Sequence, residues 1–237
     1  MTLNKNNFLD KIKKATIHNE PFEHLVVDNL LPGDFYNKLS EDFSNEDFHS
    51  RYTRGKYGRG ERFGVDITDY DTWYGTGKNI PTTIHQSNYD SLSNGGSKNI
   101  KSFFDFLLEN EEALYSTLCS KLQTAKSQDD YFFHINMTKD HVGYEIEKHT
   151  DCEENIFTIL FYAPENEDNK EFGLHIYEDA TTEAGAKSVD FMPNRMLVFA
   201  PCEENKDKTP TWHEVKRLSD ELVGTRNTFQ IFFYKNR

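Results

Sequence analysis

The rhythm of apolar and polar positions changes about halfway along the chain. In the first half it is helical. Phe8, Leu9 and Ile12 predict a short helix over residues 6–16. The apolar run from Glu23 to Asn29 predicts a strand, and Pro32, Gly33 and Asp34 then open a second helix reaching to about Phe43. Ile100, Phe103, Phe104, Leu107, Leu108, Leu114, Leu118 and Leu122 form one stripe and predict a single helix of roughly six turns. Between these helices, residues 44–97 hold no period of 2 or 3.6. So long a patternless stretch in a compact chain is expected to carry function or mobility.

After Lys126 the period shortens to 2. YFFHINMT, VGYEIEKHT, NIFTILFYA, GLHIYE, KSVDF, RMLVFA, TWHEV and RNTFQIFFY are strand-like, separated by turn residues such as Pro164, Gly173, Pro193, Pro201 and Gly224. Runs this short and evenly spaced predict an antiparallel barrel or sandwich rather than a parallel sheet with crossover helices. The expectation is one mainly β domain with N-terminal helices. Residues 1–126 supply helical support and a mobile loop region, and 127–237 supply the β core.

Composition narrows the function classes. Aromatic residues make up 14% of the 237 positions, enough for strands and pocket walls and too many for a disordered chain. The net charge of −13 repels a phosphate backbone, so duplex nucleic acid is an unexpected partner. Cys119, Cys152 and Cys202 form no CxxC pair, which fits a reducing compartment. With no apolar leader and no membrane-length apolar run, a cytoplasmic, soluble protein without a membrane partner is expected.

The candidate chemistry lies in EKHTDCEEN. Residues two apart in a strand share a face, so His149 and Asp151 can address one point, and His213 in TWHEV offers a third ligand. An isolated HxD is weak evidence. Two imidazoles and one carboxylate together match the ligand set of non-haem iron(II) oxygenases, which leaves positions open on the metal. Further on, GTRNTFQIFFY places Arg226 and Thr228 on one face of a final strand.

With HxD, FMPNRMLVFAP, WHEV and GTRNT in this order, the region from Tyr131 to Tyr234 resembles the 2-oxoglutarate and iron(II)-dependent oxygenase superfamily, in particular its prolyl-hydroxylase-like branch. The resemblance implies a double-stranded β-helix, a jelly-roll or cupin-like core with the metal at its mouth. It implies iron(II) held by His149, Asp151 and His213, with 2-oxoglutarate and dioxygen as co-substrates. Arg226 and Thr228 match the positions that receive the distal carboxylate, a task suited to a bidentate guanidinium. The implied reaction is hydroxylation of a small-molecule or peptidyl substrate. Phe232 stands where nucleobase demethylases carry a second arginine. Asp151 stands where halogenating relatives lack a carboxylate.

Other residues are weighed against plain packing. Asn136, Tyr144 and Tyr162 are candidates for contact with 2-oxoglutarate, and His175 for lining the substrate site. Arg51, Arg54, Lys56, Arg59 and Arg62 reverse the local sign of charge. Of these, Arg54, Arg59 and Arg62 are expected to meet an anionic substrate from a mobile lid, with a solvated loop as the plainer reading. Two alternatives to an oxygenase remain open: a jelly-roll using the same three ligands for non-redox, zinc-type chemistry, and a non-catalytic binding module. Arg226 with Thr228 argues against the first, which needs no carboxylate clamp, and the intact triad together with the clamp argues against the second, since neither is required for folding.

Overall fold

The structure is a computed structural model and describes residues 3–48, 58–76, 82–94, 97–122, 131–181, 186–201 and 209–235. Its helices are α1 (Lys5–Lys14), α2 (Gly33–Asn45), α3 (Tyr70–Thr76), α4 (Gln86–Asn94), α5 (Lys98–Glu109) and α6 (Glu111–Lys121). Its strands are β1 (Ile17–His18), β2 (His24–Val27), β3 (Gly58–Arg59), β4 (Arg62–Asp66), β5 (Tyr131–Asp140), β6 (Glu145–His149), β7 (Asn155–Tyr162), β8 (Leu174–Tyr177), β9 (Lys187–Val189), β10 (Met196–Phe199), β11 (Trp212–Val215) and β12 (Arg226–Lys235).

All eight runs expected in the second half are strands, β5 to β12. They form two antiparallel sheets, one of seven strands in the order β1-β2-β10-β7-β12-β5-β4 and one of five in the order β3-β6-β11-β8-β9. Leu160, Tyr162, Leu197 and Phe199 of the large sheet pack against Leu174, Ile176 and Val215 of the small one, closing a jelly-roll interior. The opposite face of the large sheet carries Phe133, Ile135, Phe161, Phe229, Ile231 and Phe233. It is covered by apolar residues of α1, α2, α5 and α6, including Ile12, Phe43, Phe103 and Leu118. Period 2 places alternate residues of one strand in these two different cores.

The structure corrects two expectations from the first half. The long apolar stripe belongs to two helices, because Asn110 (φ −121°, ψ 13°) ends α5 and precedes α6. Both helices lie on the same sheet, so the stripe continues across the break. The stretch 44–97 is also not uniformly irregular. Among the described residues it contains β3, β4, α3 and α4, and β4 pairs with β5 along its whole length. Gly60, at φ +87°, makes the sharp turn between β3 and β4. A Cβ there would lie 2.6 Å from the Gly143 carbonyl oxygen, so glycine is required.

Candidate metal centre and carboxylate pocket

His149 ends β6 and His213 lies on β11, directly opposite it in the strand register. Cross-strand pairing therefore brings the imidazoles together, with ring centroids 4.3 Å apart. Asp151 follows two residues after His149, and its Oδ1 is 3.7 Å from Nε2 of each histidine. The three ligand atoms lie within 4.8 Å of one another, close to the reach of a single ion with bonds of about 2.1 Å.

Backbone and neighbours aim these groups. The Nδ1–H of His149 donates to the Glu147 carbonyl and that of His213 to the Thr211 carbonyl, each at 2.8 Å. With the proton fixed on Nδ1, both Nε2 lone pairs are left for a metal. Burial, followed by the adjacent His213, pushes the His149 pKa down to about 4, so its ring is neutral near pH 7. Thr158 Oγ1 donates to Asp151 Oδ2 at 2.5 Å and Asn155 Nδ2 reaches the same oxygen at 3.4 Å, which turns Oδ1 toward the histidines.

These ligands border a cavity of about 170 Å³ that also reaches Arg226, Arg62 and Tyr144. Ile146, Leu160, Leu174 and Val215 supply apolar wall. Arg226 is 1% exposed. Its Nε donates to the Phe172 carbonyl at 2.8 Å, and Nη1 donates to Asp140 Oδ2 at 2.9 Å and lies 3.4 Å from Thr228 Oγ1. Its Nη2 is buried and has no hydrogen-bond partner among the described residues. Leaving a charged donor unpaired in the interior is costly, so this atom fits an arriving acceptor. The phenolic oxygen of Tyr162 is also buried, near the Leu174 backbone and the Arg226 guanidinium, and burial raises its pKa. The guanidinium of Arg226 stands 5.5 Å from the Tyr162 ring centroid.

A second cavity, of about 470 Å³, meets the first at Asp151, Arg62, Gln230 and Phe232. Rings of Tyr70 and Tyr74 from α3, and of Phe232 and Tyr234 from β12, line it, together with His134 and Asn136 of β5.

The structure brings His149, Asp151, His213, Arg226 and Tyr144 around one cavity, and sets Thr228 and Tyr162 beside Arg226. Asn136 lines the second cavity, where its Nδ2 lies 3.2 Å from His134 Nε2. His175 is a correction. Leu174 and Ile176 point into the interior, and His175 pairs in register with Glu214, so it occupies the outer face of the small sheet. Arg54 lies outside the described residues. Arg59 is exposed and pairs with Glu147 at 2.5 Å. Arg62 is a further correction to the lid expectation, being buried on β4 and gripping Asp140 bidentately, at 2.5 and 2.9 Å. Sequence reasoning missed Asp140, Thr158 and Asn155. For Asp140 a signal existed, since period 2 in β5 places it on the same face as His134, Asn136 and Thr138.

No protein-family model matches the sequence, and no curated protein matches it. Solved structures do. The arrangement of the two sheets is the double-stranded β-helix fold of the 2-oxoglutarate and iron(II)-dependent oxygenases. A prolyl-4-hydroxylase from Pseudomonas putida is similar with a TM-score of 0.56 at 13% identity, over 97% of this chain and 98% of that one. An oxidoreductase of the 2OG-Fe(II) oxygenase family from Burkholderia pseudomallei gives 0.55 at 9% identity, over 100% and 97%. A Trichoplax adhaerens prolyl hydroxylase in complex with a hypoxia inducible factor peptide fragment gives 0.52 at 13% identity, over 97% and 88%. Among the described residues, no helix is long and apolar enough to cross a membrane.

Proposed function

We propose that the protein is a 2-oxoglutarate-dependent iron(II) dioxygenase that hydroxylates a C–H bond of an amino-acid, peptidyl or other small polar substrate. Succinate and carbon dioxide would be the co-products. One observation carries this reading: two imidazoles and a carboxylate converge in the same small cavity as a buried guanidinium with an N–H left unpaired among the described residues. A non-redox metal site has no use for that guanidinium.

The donor set fits the metal. His149 and His213 offer unprotonated Nε2 atoms, and Asp151 offers Oδ1, which suits a first-row divalent ion with open positions. When bound, iron(II) supplies the redox chemistry that couples oxidative decarboxylation of 2-oxoglutarate to substrate hydroxylation.

The chain's own residues do the rest. Arg226 holds the distal carboxylate of 2-oxoglutarate through Nη2, with Thr228 beside it. Thr158 and Asn155 fix the direction of Asp151. Ile146, Leu160, Leu174 and Val215 keep water from the co-substrate. The substrate enters the ring-lined second cavity, which shares Asp151 with the first. Of the cations expected to meet an anionic substrate from a lid, Arg62 is instead held in the interior by Asp140.

The test is metal content and co-substrate binding together. Protein loaded anaerobically is expected to hold about one iron(II) per chain and to bind 2-oxoglutarate in calorimetry. His213→Ala is expected to lose the metal. Unchanged metal content in that variant removes the ligand assignment. Tight zinc with no 2-oxoglutarate binding would favour the non-redox alternative.

A further inference from the structure

The co-substrate end of the cavity contains more charge than the reading above uses. Three side chains from three adjacent strands stand in one row: Asp140 of β5 is opposite Arg62 of β4 on one side and Arg226 of β12 on the other. Asp140 accepts from both, with Arg62 Nε and Nη2 at 2.5 and 2.9 Å and Arg226 Nη1 at 2.9 Å. The side chains of Arg62, Asp140 and Arg226 are 5%, 0% and 1% exposed. The row is therefore dry, and its charges are only weakly screened.

The count of charges decides what the row can do. Arg226 and Asp140 alone make a neutral pair. A carboxylate arriving at Arg226 Nη2 would gain one cation and meet one anion close by. Among the described residues, Arg62 restores a net charge of one positive at this end. It is placed where it can act, because its guanidinium lies over the Tyr144 ring at 4.3 Å and it lines the same cavity as Arg226. Asp140 is what allows two guanidiniums to sit side by side in the interior without repelling each other apart. A row with only a structural purpose would need a single arginine with all its donors paired. This one leaves Arg226 Nη2 open.

Building on the proposed function, we propose that Arg62 is a second anchoring cation for the distal carboxylate of the 2-oxo acid, and that Asp140 is the residue positioning both arginines. Arg226 makes the contact. Arg62 supplies the field that makes the contact favourable and selects 2-oxo acids carrying a second carboxylate. Arg62 also borders the second cavity, so the same side chain forms part of the wall between co-substrate and substrate.

Calorimetric titration of 2-oxoglutarate and of pyruvate, which lacks the distal carboxylate, into the manganese(II)-loaded protein tests this without turnover. Arg62→Gln keeps the Asp140–Arg226 pair and is expected to weaken 2-oxoglutarate binding by about 10- to 100-fold. Pyruvate binding is expected to stay near wild type, while the melting temperature is expected to fall because Asp140 loses two charge-assisted hydrogen bonds. Arg62→Lys keeps the charge and is expected to recover much of the loss. Asp140→Asn makes the pocket more positive yet is expected to weaken 2-oxoglutarate binding, because both guanidiniums lose their anchor. If that variant does not fold, the Gln and Lys pair at position 62 decides alone. Wild-type 2-oxoglutarate affinity in Arg62→Gln overturns the inference, as does an equal loss for pyruvate. Failure of the underlying reading looks different: then Arg226→Ala also binds 2-oxoglutarate as wild type does.

Discussion

On β5 and β12 alternate residues part company. Phe133, Ile135, Met137, Phe229, Ile231 and Phe233 turn to the helices, while His134, Asn136, Thr138, Asp140, Arg226 and Thr228 turn to the jelly-roll interior. Both sets are buried. The helix side is a mesh of rings, with Phe229 within 4.7 Å of Phe43 and 5.2 Å of Phe103 between centroids. The interior side is polar and incompletely paired: Thr138 Oγ1 and Arg226 Nη2 are buried there without a hydrogen-bond partner among the described residues. Burying a ring favours folding by about 2–3 kcal/mol, whereas burying an unpaired donor opposes it. One face of the sheet therefore holds the fold together, and the other is maintained for a ligand at some cost to stability.

The sharpest way to break this division is to damage each face and measure both properties. Phe229→Ala empties the centre of the helix side and is expected to cost about 3–5 kcal/mol of stability in urea unfolding. In the folded fraction, 2-oxoglutarate affinity is expected to change little, although its neighbour Gln230 lines the cavity and Thr228 lies beside Arg226. A large affinity loss would show that the two faces are not separable.

Arg226→Ala inverts the pattern. Removing a charge-assisted carboxylate contact is expected to cost roughly 2–4 kcal/mol of 2-oxoglutarate affinity, or about 30- to 1000-fold. Iron binding is expected to persist, because the metal ligands rest on Thr158, Asn155 and backbone carbonyls rather than on Arg226. The stability change is expected to be smaller than for Phe229→Ala, since Asp140 keeps Arg62 and the lost side chain had an unpaired donor. Calorimetry and urea unfolding on the same sample check both halves.

The interior face was partly legible in the sequence, and the reason lies in strand length. In a ten-residue strand such as β5 the alternation Phe133, Ile135, Met137 against His134, Asn136, Thr138 repeats often enough to declare two faces. The HxD pair was legible from its spacing of two and His213 from the order of the motifs, whereas the register that sets His213 opposite His149 was not. Nor was Arg62. Its strand is five residues long with Gly64 at its centre, and it becomes a strand only by pairing with β5, a partner more than sixty residues away. Its neighbours Arg51, Arg54 and Arg59 suggested a solvated loop, whereas its burial depends on Asp140, which no local pattern connects to it. The break at Asn110 was hidden for another reason. The apolar stripe records which residues meet the sheet, and α5 and α6 meet the same sheet.

The smallest expected effect tests whether the helix side also carries a titrating group that matters. Glu111 opens α6 within this layer, and burial, followed by the charge of Glu112, raises its pKa from 4.5 to about 7. Its partial exposure and its place at a helix N-terminus, which favours a carboxylate, both limit the effect. The sign follows from the direction of the shift. Above pH 4.5 the unfolded chain releases this proton, while the folded chain retains it up to about 7, so folded protein binds more protons across that window and its stability falls as pH rises through it. Glu111→Gln removes the titration. Relative to wild type the variant is expected to gain nothing below pH 4.5 and under about 1 kcal/mol above pH 7, read by urea unfolding at pH 5 and pH 8. An equal difference at the two pH values would mean that Glu111 is solvated as an ion and that the helix side carries no titrating group of consequence.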